Sequence, residues 1–152
     1  MFLLKIFLLF LIILIIAPFQ IILVLFNLKL RLYIPKIFHK FVLFVLGIKV
    51  NIIGEITRLR PLVLIGNHTS YLDIIVLGSL IPISFVAKEE IRGWFLFGFL
   101  AKMQNTIFIK RKNYKTLESI VKINENINNN FALVLFPEGT TSSGKRILNF
   151  KT

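Results

Sequence analysis

Apolar positions dominate the start of the chain. Residues 6–26 read IFLLFLIILIIAPFQIILVLF, with Gln20 the only strongly polar side chain. Twenty-one helical residues, rising about 1.5 Å each, extend roughly 32 Å and match a hydrocarbon core about 30 Å thick. A membrane helix is therefore predicted. Pro18 has no N–H to donate and is expected to kink or break it, leaving either a bent span or a shallow helix pair inserted in one leaflet. The second member would run over Tyr33–Leu46, where Lys36, His39 and Lys40 punctuate Ile37, Phe38, Phe41, Val42, Phe44 and Val45. That spacing suits an amphipathic interfacial helix. A secretory signal peptide would need a small-residue cleavage site of the A-x-A kind, and none follows the run.

After Gly47 the period changes. Lys49–Ile53, Pro61–Ile65, Ile83–Ala87, Thr106–Ile109 and Phe131–Phe136 read as strands, the last a fully buried one. Tyr71–Leu80, Ile91–Met103 and Leu117–Ile127 read as helices. Strands alternating with helices predict an α/β fold, a mostly parallel sheet flanked by helices, preceded by the apolar membrane helix or helix pair. The organisation expected is a membrane anchor over residues 1–46 and one domain over residues 47–152.

Composition narrows the class. Hydrophobic residues make up 56% of the 152 and charged residues 17%, which fits neither an ordinary soluble domain nor a disordered chain. The lack of Cys excludes a disulfide framework, a thiolate metal site and a Cys nucleophile. Nineteen Lys and Arg against seven Asp and Glu give a net charge of +12, which calls for an anionic partner. Nucleic acid is the usual partner of a basic chain. Beside an apolar segment, an anionic bilayer surface is the better match, so membrane lipids and not nucleic acid are expected. Lys5 precedes the segment, while Lys29, Arg31, Lys36 and Lys40 follow it. The positive-inside rule then puts the body on the cytoplasmic side of the inner membrane.

Three segments carry candidate chemistry, each after an apolar strand. Asn67-His68-Thr69-Ser70-Tyr71-Leu72-Asp73 lies at a strand-to-helix turn, where sites of open α/β sheets gather. Five residues of ideal helix rotate about 500°, so His68 and Asp73 share no helix face. They can meet only with His68 in the loop, Ser70 as N-cap and Asp73 at the third helical position. Ser70 and Asp73 can then be a capping box, or Asp73 can fix the His68 tautomer so that the free nitrogen takes a proton from a hydroxyl. Phe136-Pro137-Glu138-Gly139-Thr140-Thr141-Ser142 puts a carboxylate beside flexible backbone and hydroxyls, or is a surface turn. Thr106–Arg111 ends a strand with Lys110 and Arg111, suited to a phosphate-like group or to solvent. Lys88-Glu89-Glu90 reads as a charged loop. On a parallel sheet the three segments would open on one edge and bring a base, a carboxylate and a cation together.

In that order and spacing the segments resemble the motifs of the membrane-bound glycerolipid acyltransferases, the group that contains 1-acylglycerol-3-phosphate acyltransferase. N-H-x-x-x-x-D is matched by Asn67 to Asp73, G-x-I-F-I-x-R by Asn105 to Arg111, and F-P-E-G-T-x-S by Phe136 to Ser142. Asn105 stands where Gly is usual, and Thr141 where phosphatidate-forming members often have Arg. The run Thr140–Arg146 also resembles members acting on other lysolipids, including lyso-ornithine lipid. The resemblance implies acyl transfer from acyl-CoA or acyl carrier protein to a lysolipid hydroxyl, 1-acylglycerol-3-phosphate first among acceptors, with no metal or bound cofactor. It implies His68 as the base, Asp73 as its orienting partner, and Arg111, Glu138, Gly139 and Thr140 as acceptor-binding residues. It also implies that the domain is incomplete at its C-terminus. No G-x-S-x-G elbow is present, which argues against a hydrolase. The alternative of another class is a non-catalytic basic membrane protein.

Overall fold

The computed structural model describes residues 2–57, 59–110, 121, 123–125, 127 and 132–150. They form two compact units. One comprises Met1–Thr57 with Ile75–Pro82, and the other Arg58–Ile74 with Ile83–Thr152.

The first unit is helical. Helix α1 runs Phe2–Leu25, a 3₁₀ turn covers Lys29–Leu32, and α2 runs Ile34–Leu46. Pro18 does not break α1, which continues for seven residues beyond it. An apolar segment has no better use for its backbone groups than the helix itself, so one forfeited hydrogen bond is tolerated. The two helices are antiparallel: Lys5 Nζ, near the start of α1, donates to the carbonyl of Leu46 at 3.2 Å, and Gln20 Nε2 donates to the carbonyl of Arg31 at 2.9 Å. Leu23, Val42, Leu43 and Val45 fill the interior of this unit. The imidazole of His39 is also buried there, against Gly78, where a Cβ would come within 1.9 Å of the ring. Most of α1 keeps its apolar side chains uncovered, with only Gln20 and Leu23 buried. It is the one helix among the described residues long and apolar enough to cross a membrane.

Lys49–Ile53, predicted as a strand, forms none. Every regular element of its unit is helical, so the segment has no ladder partner, and a lone strand is not stable in water. Its Ile53 is 94% exposed.

The second unit carries the sheet. Strands β1 (Leu62–Ile65), β2 (Ser84–Lys88), β3 (Ile107–Ile109) and β4 (Ala132–Leu135) are ordered β1-β4-β2-β3, and every pairing is parallel. Leu62 is in register with Ala132 and Ile65 with Leu135, while Ser84 opposes Leu133 and Val86 opposes Ile107. β4 is central, and its Ala132, Leu133 and Val134 are at most 1% exposed, which is why it reads as an unbroken apolar run. Ile83, Phe85, Ile107 and Phe108 complete the core.

Helix α3 (Leu72–Leu80) follows β1, and α4 (Phe95–Met103) precedes β3. The helix expected from Ile91 is shorter. Glu89–Gly93 forms a 3₁₀ turn, and Trp94 is extended before α4 begins. Gly98 permits this break, because a Cβ there would meet the carbonyl oxygens of Ile91 and Arg92 at 2.6 and 2.5 Å. α4 ends with Asn105 at φ +61°. The N–H of Asn105 bonds to Lys102 O and that of Thr106 to Ala101 O, the hydrogen-bond pair of a Schellman cap. Of the predicted Leu117–Ile127 helix, Val121, Ile123, Asn124, Glu125 and Ile127 are helical; Leu117 and Ile120 lie outside the described residues.

Candidate active site

The first-motif turn is organised around one carboxylate. Asp73 Oδ2 lies 2.8 Å from His68 Nδ1 and accepts the backbone N–H groups of Thr69 at 2.7 Å and Ser70 at 3.0 Å. Its Oδ1 accepts the Thr69 hydroxyl at 3.2 Å. Ser70 Oγ in turn accepts the N–H of Leu72 at 3.2 Å. The side-chain bond from Ser70 and the returning bond from Asp73 make a reciprocal cap. The capping box and the His68–Asp73 contact thus coexist, through the same carboxylate. Partial burial raises the pKa of Asp73, but the N–H of Ser70, the His68 ring and Thr69 outweigh it and hold the carboxyl below its ordinary value of 3.8. An ionised Asp73 makes Nδ1 the protonated ring nitrogen and leaves Nε2 as the one able to accept a proton.

The third-motif loop closes over the same histidine. Because β1 and β4 are neighbours, the loops leaving their C-terminal ends are adjacent. The Phe136 ring stacks on His68 with centroids 4.2 Å apart and an interplanar angle of 15°, and Phe85 lies 6.3 Å behind it. Ser142 N–H donates to the carbonyl of His68 at 2.8 Å. Gly139 sits at φ +62° and donates its N–H to Phe136 O at 2.9 Å, closing a tight turn.

Glu138 departs from the surface-turn reading of its segment: it is 1% exposed. Its Oε1 accepts the N–H of Leu148 at 3.3 Å, and its Oε2 is buried with no hydrogen-bond partner among the described residues. A buried carboxylate oxygen left open is costly unless something donates to it. Thr140 is exposed.

The third element of the expected convergence follows β3. Arg111 lies outside the described residues, and Lys110 at the end of β3 is exposed. The sheet order puts β4 and β2 between β3 and β1, a separation of about 14 Å between the outer strand axes at ~4.8 Å per strand. Glu89, in the loop after β2, is paired with Arg92 at 2.9 Å.

Phe136 and Ser142 were visible in the sequence only as motif letters, not as contacts of His68. Their roles depend on β1 and β4 being neighbours, although some 66 residues separate them, and no local pattern reveals that adjacency.

Known proteins resemble this chain over most of its length. The family model described as Acyltransferase matches residues 47–152. The chain is 39% identical over 140 residues to a lyso-ornithine lipid O-acyltransferase of Rhizobium meliloti, covering 91% of this chain and 48% of that protein. It is 37% identical over 87 residues to a 1-acyl-sn-glycerol-3-phosphate acyltransferase of Neisseria gonorrhoeae, covering 57% of this chain and 34% of the relative. Among solved structures, the 1-acyl-sn-glycerophosphate (LPA) acyltransferase PlsC of Thermotoga maritima superposes with a TM-score of 0.64 at 26% identity, over 81% of this chain and 52% of that one. The chain spans 34–52% of the length of the relatives named. With the motifs, the parallel sheet and the family match in agreement, the chain belongs to the acyltransferase family.

Proposed function

We propose that this chain carries the catalytic residues of an O-acyltransferase that moves a fatty acyl group from a thioester to the free hydroxyl of a lysolipid. The observation that carries the reading is the 2.8 Å contact of His68 Nδ1 with Asp73 Oδ2. With Nδ1 engaged, Nε2 removes the proton from the acceptor hydroxyl as its oxygen attacks the thioester carbonyl carbon. The tetrahedral adduct collapses by breaking the C–S bond, and the thiolate leaves with the proton held by His68. The donor is acyl-CoA or acyl carrier protein, and no bound cofactor takes part. Glu138, with Gly139 and Thr140, holds the acceptor near the hydroxyl, and Arg111 meets an anionic part of its head group.

Among acceptors, lyso-ornithine lipid is favoured by the longer and closer similarity to the Rhizobium meliloti protein and by Thr141 in place of Arg. 1-Acylglycerol-3-phosphate is the second reading, supported by the likeness to PlsC. The exposed apolar length of α1 supports an anchor in the inner membrane. Lys5 meets the end of α2, so the α1–α2 pair returns to the side it started from, and the domain that follows α2 is read as lying on that side, the cytoplasmic one.

The test is labelled acyl transfer to both lysolipids, from both donors, by the wild type and His68→Ala. Loss of a general base is expected to lower kcat about 10²–10⁴-fold with an unchanged melting temperature. Near-normal turnover by folded His68→Ala overturns the mechanism. Arg111→Ala is expected to raise the KM of the acceptor and leave that of the donor.

A further inference from the structure

The approach to α4 leaves a cluster of large apolar side chains in the open. Trp94, Phe95, Leu96 and Phe97 are 46, 98, 41 and 65% exposed. The segment is held in place, because Trp94 N–H bonds to Ile91 O at 3.1 Å and Gly98 N–H bonds to Trp94 O at 2.8 Å. Gly98 also lets the preceding turn pack against the helix too closely for any Cβ. The Trp94 and Phe97 rings meet edge to face at 6.4 Å. Arg92 is anchored as well, by Glu89 at 2.9 Å and by the Phe108 ring 5.2 Å away.

Phe95, Leu96 and Phe97 are successive helical residues, so their side chains point about 100° apart around the axis. A protein partner covers one face of a helix; a fluid hydrocarbon phase solvates all sides at once. The indole of Trp94 has an apolar body and one N–H, the side chain that settles at the boundary between head groups and acyl chains. Arg92 and Lys102 are exposed on either side of the cluster, with Glu90 the exposed acid beside it, and the chain carries +12. Arg92 is paired with Glu89, so the charge that matches an anionic lipid surface is the +12 of the chain as a whole.

We propose that Trp94–Phe97 is a membrane contact separate from α1, in which the start of α4 enters the head-group boundary of an anionic bilayer. The inference rests on the membrane reading of α1 only for the presence of a bilayer. It implies that the domain bearing the site is held at the surface through its own side chains as well as through its anchor.

Trp94 is the single tryptophan, so its emission reports on this cluster alone. The full chain is reconstituted into phosphatidylcholine–phosphatidylglycerol vesicles with or without brominated acyl chains, floated on a density gradient, and challenged with aqueous iodide. Immersion of an interfacial helix by some 5–10 Å is expected to give at least about twofold quenching by the brominated chains and little by iodide. Phe95→Asp/Phe97→Asp is expected to float equally well but to reverse the two quenching results. Failure to float overturns the α1 reading. Flotation with Trp94 open to iodide overturns this proposal and leaves that reading intact. Flotation with Trp94 shielded from both quenchers also overturns it, because the cover is then protein.

Discussion

The N–H of Ser142 donates to the carbonyl of His68 at 2.8 Å, so the loop leaving β4 is fastened to the residue that follows β1. The stacked Phe136 ring reinforces the same junction from the side chain. The histidine is therefore held from three directions: by Asp73 at Nδ1, by Phe136 on its face and by Ser142 at its backbone. In the proposed mechanism, a base whose position is set this way loses less freedom when an acceptor arrives, and small displacements of it are costly.

Phe136→Ala tests that arrangement. Removing the ring frees the imidazole to leave the Asp73 contact, and kcat is expected to fall about ten- to a hundredfold, the scale of a displacement near 1 Å. Phe136→Tyr keeps the stacking surface and is expected to retain most of the activity. Kinetics of both variants beside their melting temperatures check this, since a merely structural role for Phe136 would move stability and kcat together.

Asp73→Asn separates cap from dyad. The amide oxygen can still accept from backbone, so the stability loss at neutral pH is expected to stay near or below about 1 kcal/mol. The amide cannot stabilise a charged imidazole, so turnover is expected to fall roughly 10²–10⁴-fold. The pH dependence has a defined sign. The carboxyl of Asp73 is held below its ordinary value of 3.8, so its contribution is complete above that value and is lost as pH falls through the depressed one. Acid titrations of stability for the two proteins are expected to run parallel above about pH 5 and to converge below it. Convergence at neutral pH would contradict the assignment.

The sequence was most informative where one side chain serves a local purpose. The Ser70–Asp73 cap follows from spacing alone, and the parallel α/β class follows from alternation. The burial of Leu133 and its neighbours follows from the run FALVLF. It was least informative where tertiary pairing decides. Lys49–Ile53 has the composition of a strand but no neighbour to pair with, and His39, which reads as a polar punctuation of α2, is buried against Gly78. Glu138 reads as a turn residue because Pro137 and Gly139 flank it, yet Leu148, ten residues on, turns it inward.

Asn105 supplies a backbone test. It occupies the left-handed region at φ +61°, which Gly adopts freely and Asn tolerates better than other side chains. That explains how Asn serves at a motif position where Gly is usual. Asn105→Gly is expected to leave stability within a few tenths of a kcal/mol. Asn105→Val is expected to cost about 1–2 kcal/mol by straining the cap between α4 and β3. Denaturant midpoints of the two variants decide it, and equal midpoints would show that the turn relaxes.

Glu138 gives the sharpest separation of structure from function. Its Oε1 satisfies the N–H of Leu148 at 3.3 Å, whereas its Oε2 is buried with no partner among the described residues. Glu138→Gln preserves the first bond, since the amide oxygen accepts in the same place, and keeps the side-chain volume. Glu138→Ala strands the Leu148 N–H and is expected to cost about 1–3 kcal/mol for the unpaired donor. The second oxygen predicts the kinetic result. If Oε2 is the acceptor-facing atom, replacing it by an amide N–H turns an acceptor of hydrogen bonds into a donor. The lysolipid KM is then expected to rise at least about tenfold, the scale of one charge-assisted bond worth 1.5–3 kcal/mol, with the KM of the thioester donor unchanged. Steady-state kinetics with each substrate varied in turn measures both. A Glu138→Gln protein that is folded and has an unaltered lysolipid KM would place Oε2 in the stability of the loop and not in acceptor binding.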